Sequence, residues 1–166
     1  MQMSSFFSAL ALGSAALLAA HPAVAQQKLV PAQSEVQFTA RQMGVPLEGH
    51  FKKFDAQVSF DPAKLATSKI VFTVDTGSAT MGSRETDAEL PKATWFNVPQ
   101  FPQATFQSSA IKALGAGKFE VTGKLSIKGM ARDVVVPVTL VQNGATTMAT
   151  GALPLKRLAF KIGENE

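Results

Sequence analysis

The feature that most restricts this chain is a period-two alternation of apolar and polar residues, running from Ser34 almost to the end. Phe54, Ala56, Val58 and Phe60 form one set, and Ile70, Phe72 and Val74 the next. Ala104, Phe106 and Ser108 follow, then Phe119, Val121, Leu125 and Ile127. Val134, Val136, Val138 and Leu140 continue the pattern, and Leu158, Phe160 and Ile162 end it. Lys, Asp, Gln, Ser or Thr stand between the members. A pleated strand turns successive side chains to opposite faces, so the pattern predicts half-buried antiparallel strands. Turn chemistry separates the sets: Asp61-Pro62, Gly115-Ala116-Gly117, Lys128-Gly129 and Asn143-Gly144, the last a strong hairpin signal. About eight strands at hairpin spacing make the fold all-β, a meander that closes as a sandwich or a barrel.

One segment breaks the rhythm. Residues 83–97 (SRETDAELPKATWFN) lack alternation and carry charges and helix formers. They read as a short helical excursion with Ser83 as N-cap and Pro91 in the first turn of a second helix. Trp95 and Phe96, on that second helix, are expected to cap one end of the barrel.

The N-terminus speaks to address. Residues 6–20 are an uncharged run of Phe, Ala, Leu, Ser and Gly, the length of a signal-peptide apolar region and short for a bilayer span. Ala23 and Ala25 supply the small residues that signal peptidase requires. The expected division is therefore a signal peptide, 1–25, cleaved after Ala25, and a mature domain, 26–166, exported to the periplasm. Removing 25 of the 166 residues leaves 141, enough for one core. No later stretch is long and apolar enough to be a transmembrane segment.

Composition narrows the chemistry. The chain has no cysteine, so neither disulfides nor a lipid anchor on Cys are available. Its net charge of +4 is scattered, whereas nucleic acid would call for a basic stripe with interleaved aromatics; no nucleic-acid partner is expected. A mildly basic surface does suit transient contact with an anionic membrane surface. Of the 12 Phe, all but Phe6 and Phe7 lie in the mature domain, beside one Trp and no Tyr. So many phenyl rings without a phenol give a large apolar interior with few hydrogen-bonding groups, which suits a plain core and equally a cavity for a hydrocarbon chain.

Catalysis has little to work with. Signal cleavage would remove His21 and leave His50 as the single histidine. There is no nucleophile elbow, Walker loop or dinucleotide fingerprint. Glu48 and His50 share a strand face, but two side chains do not make a metal site. Asp75, Glu85, Asp87 and Glu89 could in principle supply a glycosidase pair; charge at a helix start and on its solvent face explains them more simply. The expectation is a protein with no catalytic residues, no metal and no cofactor.

A set of motifs then appears in order. Phe60-Asp61-Pro62 is followed by Asp75-Thr76-Gly77-Ser78, Asp87-Ala88-Glu89-Leu90 and Trp95-Phe96-Asn97. Next come Phe101-Pro102-Gln103-Ala104-Thr105-Phe106 and Val121-Thr122-Gly123-Lys124-Leu125-Ser126-Ile127-Lys128-Gly129. This succession resembles the YceI-like family of exported bacterial proteins over essentially the whole mature chain. The resemblance implies a lipocalin-like antiparallel eight-stranded barrel with a short helical excursion. It implies a periplasmic binding or carrier protein whose cavity holds a polyisoprenoid or another long-chain acyl or amphiphilic lipid, such as an isoprenoid quinone. Family members commonly run past the position of Gly163 into a further strand. Ending at Glu166, the chain is read as lacking that final strand, with an exposed edge that would let two copies pair as a homodimer. Thr86 stands where the family often has a basic residue.

The inward set expected to line the cavity is Phe38, Phe54, Val58, Phe60, Ile70, Phe72, Val74, Phe106, Phe119, Leu125, Ile127, Val136 and Val138. Two alternatives stay open. One is a non-catalytic interaction module, accessory to a membrane redox protein or a stress-response partner, with its barrel filled by its own side chains. The other, with less behind it, is a hydrolase or isomerase built on His50.

Overall fold

The computed structural model describes residues 26–42 and 45–164; the expected signal peptide lies outside them. The strands are β1 (Gln27–Lys28), β2 (Val36–Gln42), β3 (Val45–Phe51), β4 (Phe54–Ser59), β5 (Lys69–Asp75) and β6 (Ala79–Thr80). After the helix α1 (Arg84–Glu89) come β7 (Gln103–Gly115), β8 (Lys118–Ile127), β9 (Met130–Asn143) and β10 (Thr146–Gly151). Seven strands form one antiparallel sheet in the order β1-β4-β5-β7-β8-β9-β10, and β2-β3-β6 form a second. The large sheet curls into a half-barrel, the lipocalin-like class expected. It is not one continuous run of eight strands, because β2 and β3 leave it to pair with the two-residue β6.

The turns follow the sequence. Ile127 lies opposite Met130, so Lys128-Gly129 is a two-residue hairpin loop, and both residues take positive φ, 48° and 74°. That combination matches the right-handed twist of the strands it joins. The β7–β8 ladder slips between Ser108 and Ala110. This bulge changes which residues of β7 face inward: even-numbered up to Ser108, odd-numbered from Ile111.

Two expectations about local structure fail. The helical excursion has only one helix, and the Ser83 side chain makes no capping bond to it. From Pro91 the chain forms successive turns: Trp95 N–H and Asn97 N–H both donate to Lys92 O, and Phe96 N–H returns to Leu90 O at 3.0 Å. Winding back on itself, rather than continuing as a helix, drives Leu90 and Phe96 inward. Nor do Leu158, Phe160 and Ile162 form a strand. Arg157–Phe160 is a 3-10 helix, and Arg157 Nη1 fastens the turn by donating to Ile162 O at 2.8 Å and Gly163 O at 2.6 Å. Gly163 N–H in turn donates to Thr94 O at 2.7 Å.

These two irregular segments build the core. Ala79, Leu90, Phe96, Ile127 and Phe160 form its buried centre, with Phe38, Phe51, Leu125, Met130 and Ile162 packed around them. The core therefore sits at one end of the half-barrel, where β8 meets β9, and acts as a plug.

Candidate functional site

Residues directly opposite each other in an antiparallel ladder face the same side, so the registers trace one face of the large sheet. One row runs Phe54, Val74, Ala104. The next runs Ala56, Phe72, Phe106, Leu125 and Arg132. Beyond the bulge, Ile111 meets Val121 and Val136, and Ala113 meets Phe119 and Val138. The face is the concave one, because the plug residues Ala104, Leu125, Ile127 and Met130 belong to it. Among the described residues, Arg132 is the only charged side chain the registers place there. It stands at the plug end, where its Nη2 donates to Ala159 O at 3.3 Å.

Eleven of the thirteen expected residues lie on this face by register. Phe60, just past the end of β4, reaches the same side and packs edge-to-face on Phe119, ring centroids 5.3 Å apart at 90°. Phe38 does not join them. It lies on β2 opposite Gly49, stacks on Phe51 at 5.2 Å and belongs to the plug, as do Leu125 and Ile127. Ile111, Val121, Val134 and Leu140 share the concave face and were not in the expected set. Ile111 was hidden by the bulge, whereas Val121 was readable from its place between Phe119 and Gly123.

The face is apolar but incompletely covered. Only Val74, Val121 and Ile127 on it are buried among the hydrophobic side chains, at 8%, 3% and 8% exposure. Phe54, Val58, Ile70, Phe72, Phe106, Phe119, Val136 and Val138 are half-buried. Glycine shapes its floor. A Cβ on Gly123 would run into the Phe106 ring and the Gln107 carbonyl, so the ring packs against β8 where no side chain intervenes.

At the plug, polar groups bind segments together. The Lys128 ammonium donates to Thr94 O and Lys161 O, and burial lowers its pKa from the usual lysine range. The Arg157 guanidinium lies 6.0 Å from the Trp95 ring centre. Three of the four acidic residues of the cluster are likewise engaged. Asp75 accepts from Gly77 N–H at 2.9 Å, and Glu89 pairs with Lys92 at 2.5 Å. Asp87 accepts from the Thr80 hydroxyl at 2.5 Å and from Met81 N–H at 2.7 Å. The Thr80 bond, then the Met81 bond, hold its carboxyl below the usual carboxylate range. His50 is exposed on β3, opposite Gln37 and Thr80. Among the described residues no group of three or more His, Asp or Glu side chains is placed to hold a metal ion. No helix among them is long and apolar enough to cross a membrane. A cleft of about 540 Å³ is lined by Pro46, Leu47, Glu48, Met81, Ser83 and Thr86; none of the thirteen expected residues borders it.

Known proteins share this architecture. The crystal structure of Burkholderia cenocepacia BcnA superposes with a TM-score of 0.78 at 49% identity, over 81% of this chain and 84% of that one. A polyisoprenoid binding domain from Saccharophagus degradans shares the fold with a TM-score of 0.61, at 14% identity over 78% of this chain and 76% of its own. In sequence, a UPF0312 protein of Azotobacter vinelandii is 36% identical over 140 residues, 82% of this chain and 72% of the relative. The YceI-like domain matches residues 27–166. By that match, spanning nearly all the described residues, the chain belongs to the YceI-like family.

Proposed function

We propose that this protein binds a long-chain amphiphilic lipid along the concave face, as a non-enzymatic carrier in the periplasm. The observation that carries the reading is a continuous apolar face whose rings are only half covered by the protein's own atoms. Hydrocarbon laid on it would remove that surface from water, at about 0.8 kcal/mol per buried methylene. Few polar contacts are then needed, and few are available. A polyisoprenoid, for instance the tail of an isoprenoid quinone, suits a face of this kind; the binding domain from Saccharophagus degradans, named for such a ligand, shares the fold. Phe54, Val58, Phe60, Ile70, Phe72, Val74, Phe106, Phe119, Val136 and Val138 are the proposed contacts, with Leu125 and Ile127 at the plug end.

The test is organic extraction of protein purified from its native compartment, followed by mass spectrometry, with uptake of an isoprenoid quinone measured in parallel. A co-purifying lipid and saturable uptake are expected; the absence of both would defeat the proposal. Phe72→Asp, which puts a charge in the middle of the face, should abolish uptake while the fold persists.

A second reading, an interaction module accessory to a membrane protein, draws on the convex side. Val135, Val141 and Met148 are exposed there at 49%, 50% and 57%, beside the uncharged outer strand β10. Recovery of a specific membrane partner by lipid-free protein would favour it.

A further inference from the structure

The two ends of the concave face are closed differently. At one end the plug is buried and fixed. At the other, the Phe60 and Phe119 rings meet edge-to-face. Among the described residues this is the only aromatic pair that joins non-adjacent parts of the large sheet: β5 and β7 lie between β4 and β8, and the rings bridge the curl above them. Both rings are half-buried, so neither is locked in place by packing alone.

Phe60 is held instead by its backbone. It lies one residue beyond β4, where the two-residue β1 can no longer supply a ladder partner. The Gln27 side chain takes over: its Nε2 donates to Phe60 O at 2.9 Å, and its Oε1 accepts from Phe60 N–H at 3.0 Å. One amide thus does for Phe60 what a neighbouring strand would do, and sets where the ring stands.

We propose that Phe60 and Phe119, positioned by the Gln27 amide, form a gate that limits the length of hydrocarbon chain the concave face accepts. The inference rests on the lipid-binding reading and adds a specificity to it. Phe119 lies eight positions along β8 from Ile127 in the plug, about 26 Å of strand at about 3.3 Å per residue. Chain that fits between plug and gate is buried on the apolar face. Longer chain must part the two rings, and an edge-to-face contact between half-exposed rings can open where the plug cannot.

The experiment measures affinity for a series of isoprenoid quinones of increasing tail length, for the wild type, Phe119→Ala and Gln27→Ala. Wild-type affinity should stop rising at one member of the series. Phe119→Ala should carry the rise to at least the next member and bind that member about tenfold tighter than wild type. That factor is the roughly 1.4 kcal/mol supplied by burying about two more methylenes. Gln27→Ala keeps both rings but frees Phe60, and should move the limit in the same direction by about threefold. Should Phe119→Ala fail to fold, as circular dichroism would reveal, Gln27→Ala decides alone. If the folded variants bind the whole series with the wild-type limit, the gate is overturned and lipid binding stands. If none of the proteins, wild type included, binds any member, the binding reading falls and the gate with it.

Discussion

The plug and the rest of the concave face share β7, β8 and β9 and draw on the same residue types, yet they end in different states. At the plug, Phe160 is 3% exposed, Leu90 4% and Ile127 8%. A few residues further along β8 and β7, Phe119 and Phe106 remain half-buried. The strands do not make this difference; what covers them does. The turns after α1 lay Leu90 and Phe96 on one end, and the 3-10 helix at Arg157–Phe160 adds Phe160. The middle of the sheet is only half covered. Buried apolar area stabilises the fold, whereas half-covered area is left for something else to cover. On the proposed reading, stability and lipid binding thus occupy separate parts of one continuous apolar surface.

The sharpest test of that division is at the plug. Phe160→Ala empties a buried site that two irregular segments converge on, and should cost about 3–5 kcal/mol, read from urea denaturation. A cost near that of an exposed phenylalanine would mean the C-terminal segment is not part of the core. On the concave face, Gly123→Ala should cost less, about 1–3 kcal/mol, because the new methyl has no room against the Gln107 carbonyl and the Phe106 ring. It should also lower quinone uptake by lifting that ring off β8. Uptake unchanged in a destabilised Gly123→Ala would show that the Phe106 ring does not shape the site.

The strands were legible because alternation is a local property: Phe54, Val58, Ile70 and Phe72 fall on one face whatever the rest of the chain does. So were the Lys128-Gly129 and Asn143-Gly144 turns, whose glycines take positive φ, 74° and 60°. The plug was harder to foresee. Leu158, Phe160 and Ile162 alternate like a strand, yet Arg157–Phe160 is a 3-10 helix, and the Arg157 side chain fastens the turn after it by donating to the Ile162 and Gly163 carbonyls. Phe38 alternates too, but its strand pairs in the second sheet, a choice made by contacts far apart in sequence. At the site, the bulge after Ser108 concealed Ile111, because a one-residue slip exchanges the two faces and leaves no mark in the pattern. The Gln27 clamp on Phe60 joins residues 33 apart and has no sequence signal at all.

The smallest expected effect concerns the latch that holds α1 against the sheet. Asp87 on α1 accepts from Thr80 and Met81, and α1 leads directly into Leu90 of the plug. Its carboxyl is held below the usual carboxylate range, first by the Thr80 hydroxyl, then by the Met81 amide, with smaller help from Lys52 and His50 and against the opposing effect of burial. A carboxyl with a lower pKa folded than unfolded stabilises the fold above its unfolded pKa, and that contribution disappears as pH falls through the folded value. Asp87→Asn should therefore be less stable than wild type at neutral pH, and the two should converge in strong acid. Denaturation midpoints at both pH values measure the gap; one that persists undiminished in acid would show that the charge on Asp87 is not what fastens α1. Uptake at neutral pH should change least of all, since the latch secures the plug and leaves the open face as it was.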